Sequence, residues 1–166
     1  MSHKTKTIAL LSIYIAIAFL FGYIESLFPL PVPFPGMKLG LANLVIVLAL
    51  YQLNLPSVLL ISVLRNLLNA FTFGSMFSFL YSLTGSIASL LIMYIVKKTQ
   101  LSRISVSCVG GIVHNIGQFV IAACLVGPSA VLPYLPFLYF AGFAAGILIG
   151  VLADLCLRRI PISNMN

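Results

Sequence analysis

Acidic residues are nearly missing from this 166-residue chain: Glu25 and Asp154 are its only two. They stand far apart, so the chain cannot assemble the clustered carboxylates that hold magnesium against a diphosphate. Charge of either sign is scarce, at 7% of residues against 61% hydrophobic and a mean hydropathy of +1.18. Nine Lys/Arg and two acids cannot clothe a soluble domain of this size, which leaves a polytopic membrane protein. No glycine-rich loop ends in Lys-Ser/Thr, which excludes ATP hydrolysis by that route. Neither Ser-x-x-Lys nor Gly-x-Ser-x-Gly occurs, so the usual serine nucleophile motifs are excluded too. Cys108, Cys124 and Cys156 are odd in number, sit in apolar context and lack metal-ligand spacing. They read as small buried hydrophobes rather than a disulfide framework or zinc site. The expectation is a protein with no catalytic residues, no metal and no cofactor.

What is present is a series of apolar runs separated by proline, glycine or charge. They predict six helices at residues 7–28, 39–53, 56–73, 76–96, 104–126 and 134–157. All but the second approach the ~20 residues needed to cross the hydrocarbon core. The first run follows Lys4 and Lys6 as in a signal peptide, but it exceeds the usual ~7–15 apolar residues and no small-x-small cleavage site follows. It is expected to remain as the first span. The fold class is therefore all-α: one membrane domain over 1–166, a six-transmembrane-helix bundle. The net charge of +7 sits at the ends of the runs and reads as topology rather than as a nucleic-acid footprint. Lys4, Lys6, Lys97, Lys98, Arg103, Arg158 and Arg159 all fall on one side when six spans alternate. The positive-inside rule then puts both termini in the cytoplasm of a plasma-membrane protein.

The connection between the first two helices carries Pro29, Pro31, Pro33 and Pro35 with apolar residues between them. Proline removes amide donors, so an extended, stiff segment follows. It either folds back over the bundle as a lid or rests on the lipid headgroups.

Polar side chains within the spans are the main functional signal, because at bilayer depth they are costly. The third helix carries Arg65, Asn66 and Asn69, and the fifth carries His114, Asn115 and Gln118. At 1.5 Å per residue Arg65 lies roughly 13–14 Å from the cytoplasmic end, with His114 at similar depth. Arg65 and Asn69 share a helix face at i, i+4, as do His114 and Gln118. Asn43 is near the outer end of the second helix, with Glu25 and Lys38 at the outer mouth. An arginine facing lipid at mid-bilayer costs at least ~2.5–3.5 kcal/mol, so Arg65 faces the interior. The set suits an anionic or hydrogen-bond-rich small molecule, which a guanidinium can grip in bidentate fashion. The alternative is that Arg65 pairs with Glu25 or a helix-end carbonyl while the amides join helices. Asp154 stands apart, one turn before Arg158, as an i, i+4 ion pair.

Small residues are patterned as well. Gly142, Gly146 and Gly150 repeat every four residues, as do Ser78, Ser82 and Ser86, and Ser12 with Ala16. Such stripes allow close helix approach, either inside the bundle or against a separate membrane subunit.

The segments Lys38-Leu-Gly-Leu-Ala-Asn43, Arg65-Asn66-Leu-Leu, Phe77-Ser-Phe-Leu-Tyr-Ser82-Leu-Thr-Gly85 and His114-Asn115-Ile-Gly-Gln118 resemble one bacterial membrane family. It is known as heptaprenyl diphosphate synthase component I or the Gx transporter family, and the likeness covers nearly the whole chain. That family is similar in size and six-helix layout to the substrate-binding S components of energy-coupling factor (ECF) transporters. The resemblance implies capture of a scarce metabolite, with transport driven by an ECF transmembrane coupling subunit and an ATPase pair. It implies docking through a small-x-x-x-small stripe on the first helix, which Ser12 and Ala16 supply with serine in place of the usual alanine. It also implies that the proline segment caps a pocket in the outer half. The ligand would be a vitamin-like compound or a quinone or isoprenoid precursor. The family's enzyme name implies instead a non-catalytic membrane subunit of a prenyl-diphosphate synthase. A third reading is a self-sufficient proton-coupled carrier using His114, since histidine as a free side chain changes charge near neutral pH.

Overall fold

The computed structural model describes residues 3–27 and 40–159. The proline segment, with Lys38 and the expected lid, lies outside the described residues. The helices are α1 (His3–Leu27), α2 (Leu41–Gln52), α3 (Leu55–Phe73), α4 (Met76–Lys97), α5 (Arg103–Val126), α6 (Pro128–Val131) and α7 (Leu135–Arg159). Among the described residues five helical segments are long and apolar enough to cross a membrane, and α2 is shorter at 12 residues. The chain is a polytopic helical bundle, as its run lengths predict.

The helix starts follow local chemistry. Asn54, Ser75 and Ser102 each accept a hydrogen bond from the backbone N–H three residues on, capping α3, α4 and α5. Pro56 enters α3 in its first turn, where no amide donor is required. The α5–α7 connection is itself partly helical. Gly127 turns with φ of 96°, and Pro128 and Pro133 then start α6 and a 3₁₀ turn over Leu132–Tyr134. Val131 of this hook is buried with Ala122 and Leu138, tying the hook to the ends of α5 and α7.

Contacts between named residues set an up-and-down topology. The rings of Phe19 and Tyr23, in the later part of α1, meet Phe73 at the end of α3, so these two helices finish at the same end of the bundle. Glu25 meets the start of α2. α5 and α7 cross closely and antiparallel: a Cβ on Gly146 would stand 2.6 Å from Cys108 Cα, and one on Gly150 2.8 Å from Ile104 Cα. The Gly142–Gly146–Gly150 stripe is thus consumed by internal packing. Gly85 and Gly117 make the equivalent crossing between α4 and α5. The main core gathers α2 residues Ile46, Val47 and Leu50 with Val58, Ile61, Leu90, Val106 and Ile149. Phe71, Phe77 and Phe140 are exposed, which in a bilayer means facing lipid. Cys124 is exposed too, and Cys108 and Cys156 are half-buried, correcting the expectation of buried thiols. In a bilayer an apolar residue gains as much from lipid as from the interior.

The basic residues collect at the end where α2, α4 and α7 finish. Asp154 pairs with Arg158 at 2.8 Å, as expected, and also with Arg103 at 2.9 Å. Lys97 Nζ donates to the Leu50 carbonyl at 2.7 Å and lies 4.8 Å from the centre of the Tyr51 ring. Its ammonium therefore caps the C-terminus of the short helix α2. Lys97→Met is expected to lower stability by about 1–2 kcal/mol. Chemical denaturation in detergent measures this, and an unchanged midpoint would remove Lys97 from that role.

Candidate functional site

The other end of the bundle holds a cavity of about 480 Å³, within the usual range for small-molecule sites. It is lined by the end of α1, the first turn of α2, the second half of α3, the first half of α4, and the facing parts of α5 and α7. Eight sequence-predicted residues line it: Glu25, Asn43, Arg65, Asn66, Asn69, His114, Asn115 and Gln118. Lys38 lies outside the described residues.

Arg65 is 4% exposed. Its Nη2 donates to Asn43 Oδ1 at 2.7 Å and to Ser86 Oγ at 3.1 Å, both neutral acceptors. Among the described residues its Nε is buried without a hydrogen-bond partner, and no carboxylate lies within ion-pair distance. Glu25 does not neutralise it directly. One Glu25 carboxylate oxygen accepts from the backbone N–H of Leu41 at 2.8 Å and also from that of Gly40. The acid thus caps α2, where the helix dipole favours negative charge. Gly40 makes this possible with a left-handed φ of 87°.

The amides divide by what they touch. Asn66 Nδ2 and Asn69 Oδ1 have no hydrogen-bond partner among the described residues. Asn69 packs over Gly22 of α1, where a Cβ would strike its side chain. His114 Nε2 and Gln118 Nε2 lie 3.1 Å apart, joining the two side chains along one face of α5. Gly85 leaves the space they occupy, since a Cβ there would come 2.7 Å from the His114 carbonyl. Asn115 donates to the Leu138 carbonyl of α7 at 2.8 Å, so its amide joins helices. Ser12 and Ala16 lie on the exposed face of α1, away from the cavity.

Sequence reasoning passed over three serines. Ser78, Ser82 and Ser86 formed a spacing pattern read as helix packing. Ser78 and Ser82 instead line the cavity, and Ser86 holds Arg65. Their signal was one polar stripe on the half of α4 level with Arg65. Among the described residues no group of three metal-ligating side chains occurs.

These features define a polytopic membrane protein with an internal, polar-floored cavity. The chain belongs to the family described as heptaprenyl diphosphate synthase component I, which it matches over residues 14–156. No curated protein and no solved structure matches it.

Proposed function

We propose that the chain is a non-catalytic, membrane-embedded binding protein that captures a small anionic molecule for uptake. Arg65 carries this reading: a buried guanidinium faces a cavity with neutral partners only. A cation with no direct ion-pair partner in an apolar bundle is costly, and an anionic ligand offsets that cost. Asn43, Asn66, Asn69, His114 and Gln118 would add directional hydrogen bonds. The cavity lies at the end opposite Lys97, Lys98, Arg103, Arg158 and Arg159, which under the positive-inside rule is the outer face. With no ATP-hydrolysing motif of its own, the chain would draw on a coupling subunit and ATPase pair of the ECF kind. The exposed Ser12 and Ala16 are compatible with such docking.

The family description favours a second reading, a membrane subunit that holds or regulates a prenyl-diphosphate synthase. A soluble synthase would meet the basic end of the bundle, leaving the cavity on the far side. A pull-down in mild detergent separates the two. Co-purification of two ATPases and a membrane coupling protein is the expected result. Recovery of a soluble synthase alone would replace uptake by the second reading.

A further inference from the structure

The cavity has two unlike walls. Among the described residues every polar side chain that lines it comes from α1 to α5. From α7 it receives Phe137, Ala141, Gly142, Ala144, Ala145 and Leu148, none with a side-chain donor or acceptor. The backbone of α7 offers little more, because its amides and carbonyls are engaged within the helix and Leu138 O already serves Asn115. The wall is also smooth over its middle, where only alanine and glycine face inward. Opposite it lie Arg65, with an unpartnered Nε, and Asn66, with an unpartnered Nδ2, both buried donors. The cavity's acid, Glu25, is already held at the first turn of α2.

We infer that the ligand is an amphiphilic oxyanion: a carboxylate or phosphate monoester on an apolar ring or chain, the anion at Arg65 and the body along α7. The inference rests on the anion-binding reading and narrows it. A hydrophilic anion such as a sugar phosphate would place hydroxyls against α7 with nothing to bond, at about 1–3 kcal/mol for each buried group. An amino-acid zwitterion would rely for its ammonium on the one Glu25 oxygen that Gly40 and Leu41 leave free and would leave the α7 wall uncovered. An apolar body meets neither cost and gains from covering the α7 wall. Nη2 already has two acceptors, so the oxyanion either takes Nε–H or an Nη1 hydrogen singly or displaces Asn43 or Ser86 from Nη2 to form the usual two-pronged grip.

The test uses the full chain in lipid nanodiscs and four probes: 2-naphthoate, acetate, inorganic phosphate and serine. The neutral 2-naphthylmethanol controls for partition into lipid. The expected result is that 2-naphthoate binds at least tenfold tighter than the other three and is not displaced by the alcohol. Arg65→Lys should weaken it at least fivefold, and Ala145→Asn should do the same by putting an amide on the apolar wall. Acetate or phosphate binding as tightly as 2-naphthoate, with dependence on Arg65, would overturn the amphiphile and leave the anion site standing. Binding of none of the four, or binding indifferent to Arg65→Lys, would overturn both.

Discussion

Arg65→Met is expected to abolish most ligand binding while leaving the fold as stable as before, or more so. Truncating a charge-assisted contact of this kind costs roughly 1.5–3 kcal/mol, or about tenfold to a hundredfold in affinity. Stability should respond differently. In the ligand-free protein the guanidinium is buried, unpaired with any acid among the described residues, and held by two neutral oxygens. Methionine keeps the unbranched stem and removes the desolvated charge. Against that gain, Asn43 Oδ1 and Ser86 Oγ lose a donor, at about 1–3 kcal/mol between them. The two effects are of similar size, so the melting temperature should stay level or rise. Thermal unfolding in detergent, beside equilibrium binding of the molecule recovered with the purified protein, reads both quantities. A fall of about 10 °C, roughly 3 kcal/mol for a chain of this length, with unchanged binding would make Arg65 a structural strut instead.

How Arg65 is held was not legible from sequence, although its place in the interior was. Depth follows from a constant helical rise, so counting from the end of a run puts Arg65 and His114 on one level. Partners depend on where other helices begin. Asn43 reaches Arg65 because α2 starts at Leu41, in turn because Glu25 receives the amides of Gly40 and Leu41. That contact closes a gap of fifteen residues and leaves no periodic trace. Ser86 and Asn115 show the opposite ambiguity. Both are polar groups in apolar helices, and either type can bind a ligand or join helices. The spacing of Ser86 suggests packing, yet it holds the site's arginine, whereas Asn115 stands in sequence with the site residues and bonds α7. The α7 glycine stripe was legible because spacing of four on one helix has few uses besides a close crossing.

That crossing carries the second large effect. Replacing glycine by alanine inside a helix ordinarily stabilises by about 0.5–1 kcal/mol. At Gly142 and Gly146 the sign should reverse, because each new Cβ would meet backbone. The Gly142 Cβ would stand 2.6 Å from Gly111 O, and the Gly146 Cβ 2.6 Å from Cys108 Cα. Backbone in two long helices cannot step aside as a side chain can, so α5 and α7 must separate. The cost should be about 1–3 kcal/mol for alanine, and more for valine. The two positions differ in what else they disturb. Gly142 lines the cavity, and its Cβ would come 3.0 Å from the Asn115 amide nitrogen that bonds Leu138 O. The atoms nearest a Gly146 Cβ belong to Ser107 and Cys108, and neither these residues nor Gly146 line the cavity. Gly142→Ala should therefore lower both stability and ligand affinity, by shifting the α7 wall away from the polar residues of α5. Gly146→Ala should lower stability by a similar amount and leave affinity within about twofold, since a separation of 0.4 kcal/mol is all that factor represents. Denaturation midpoints and binding isotherms on the two variants decide the matter. Equal losses of affinity at both positions would mean the crossing moves as one rigid unit, and no loss of stability at either would mean the helices do not meet as closely as Gly111, Gly142 and Gly146 require.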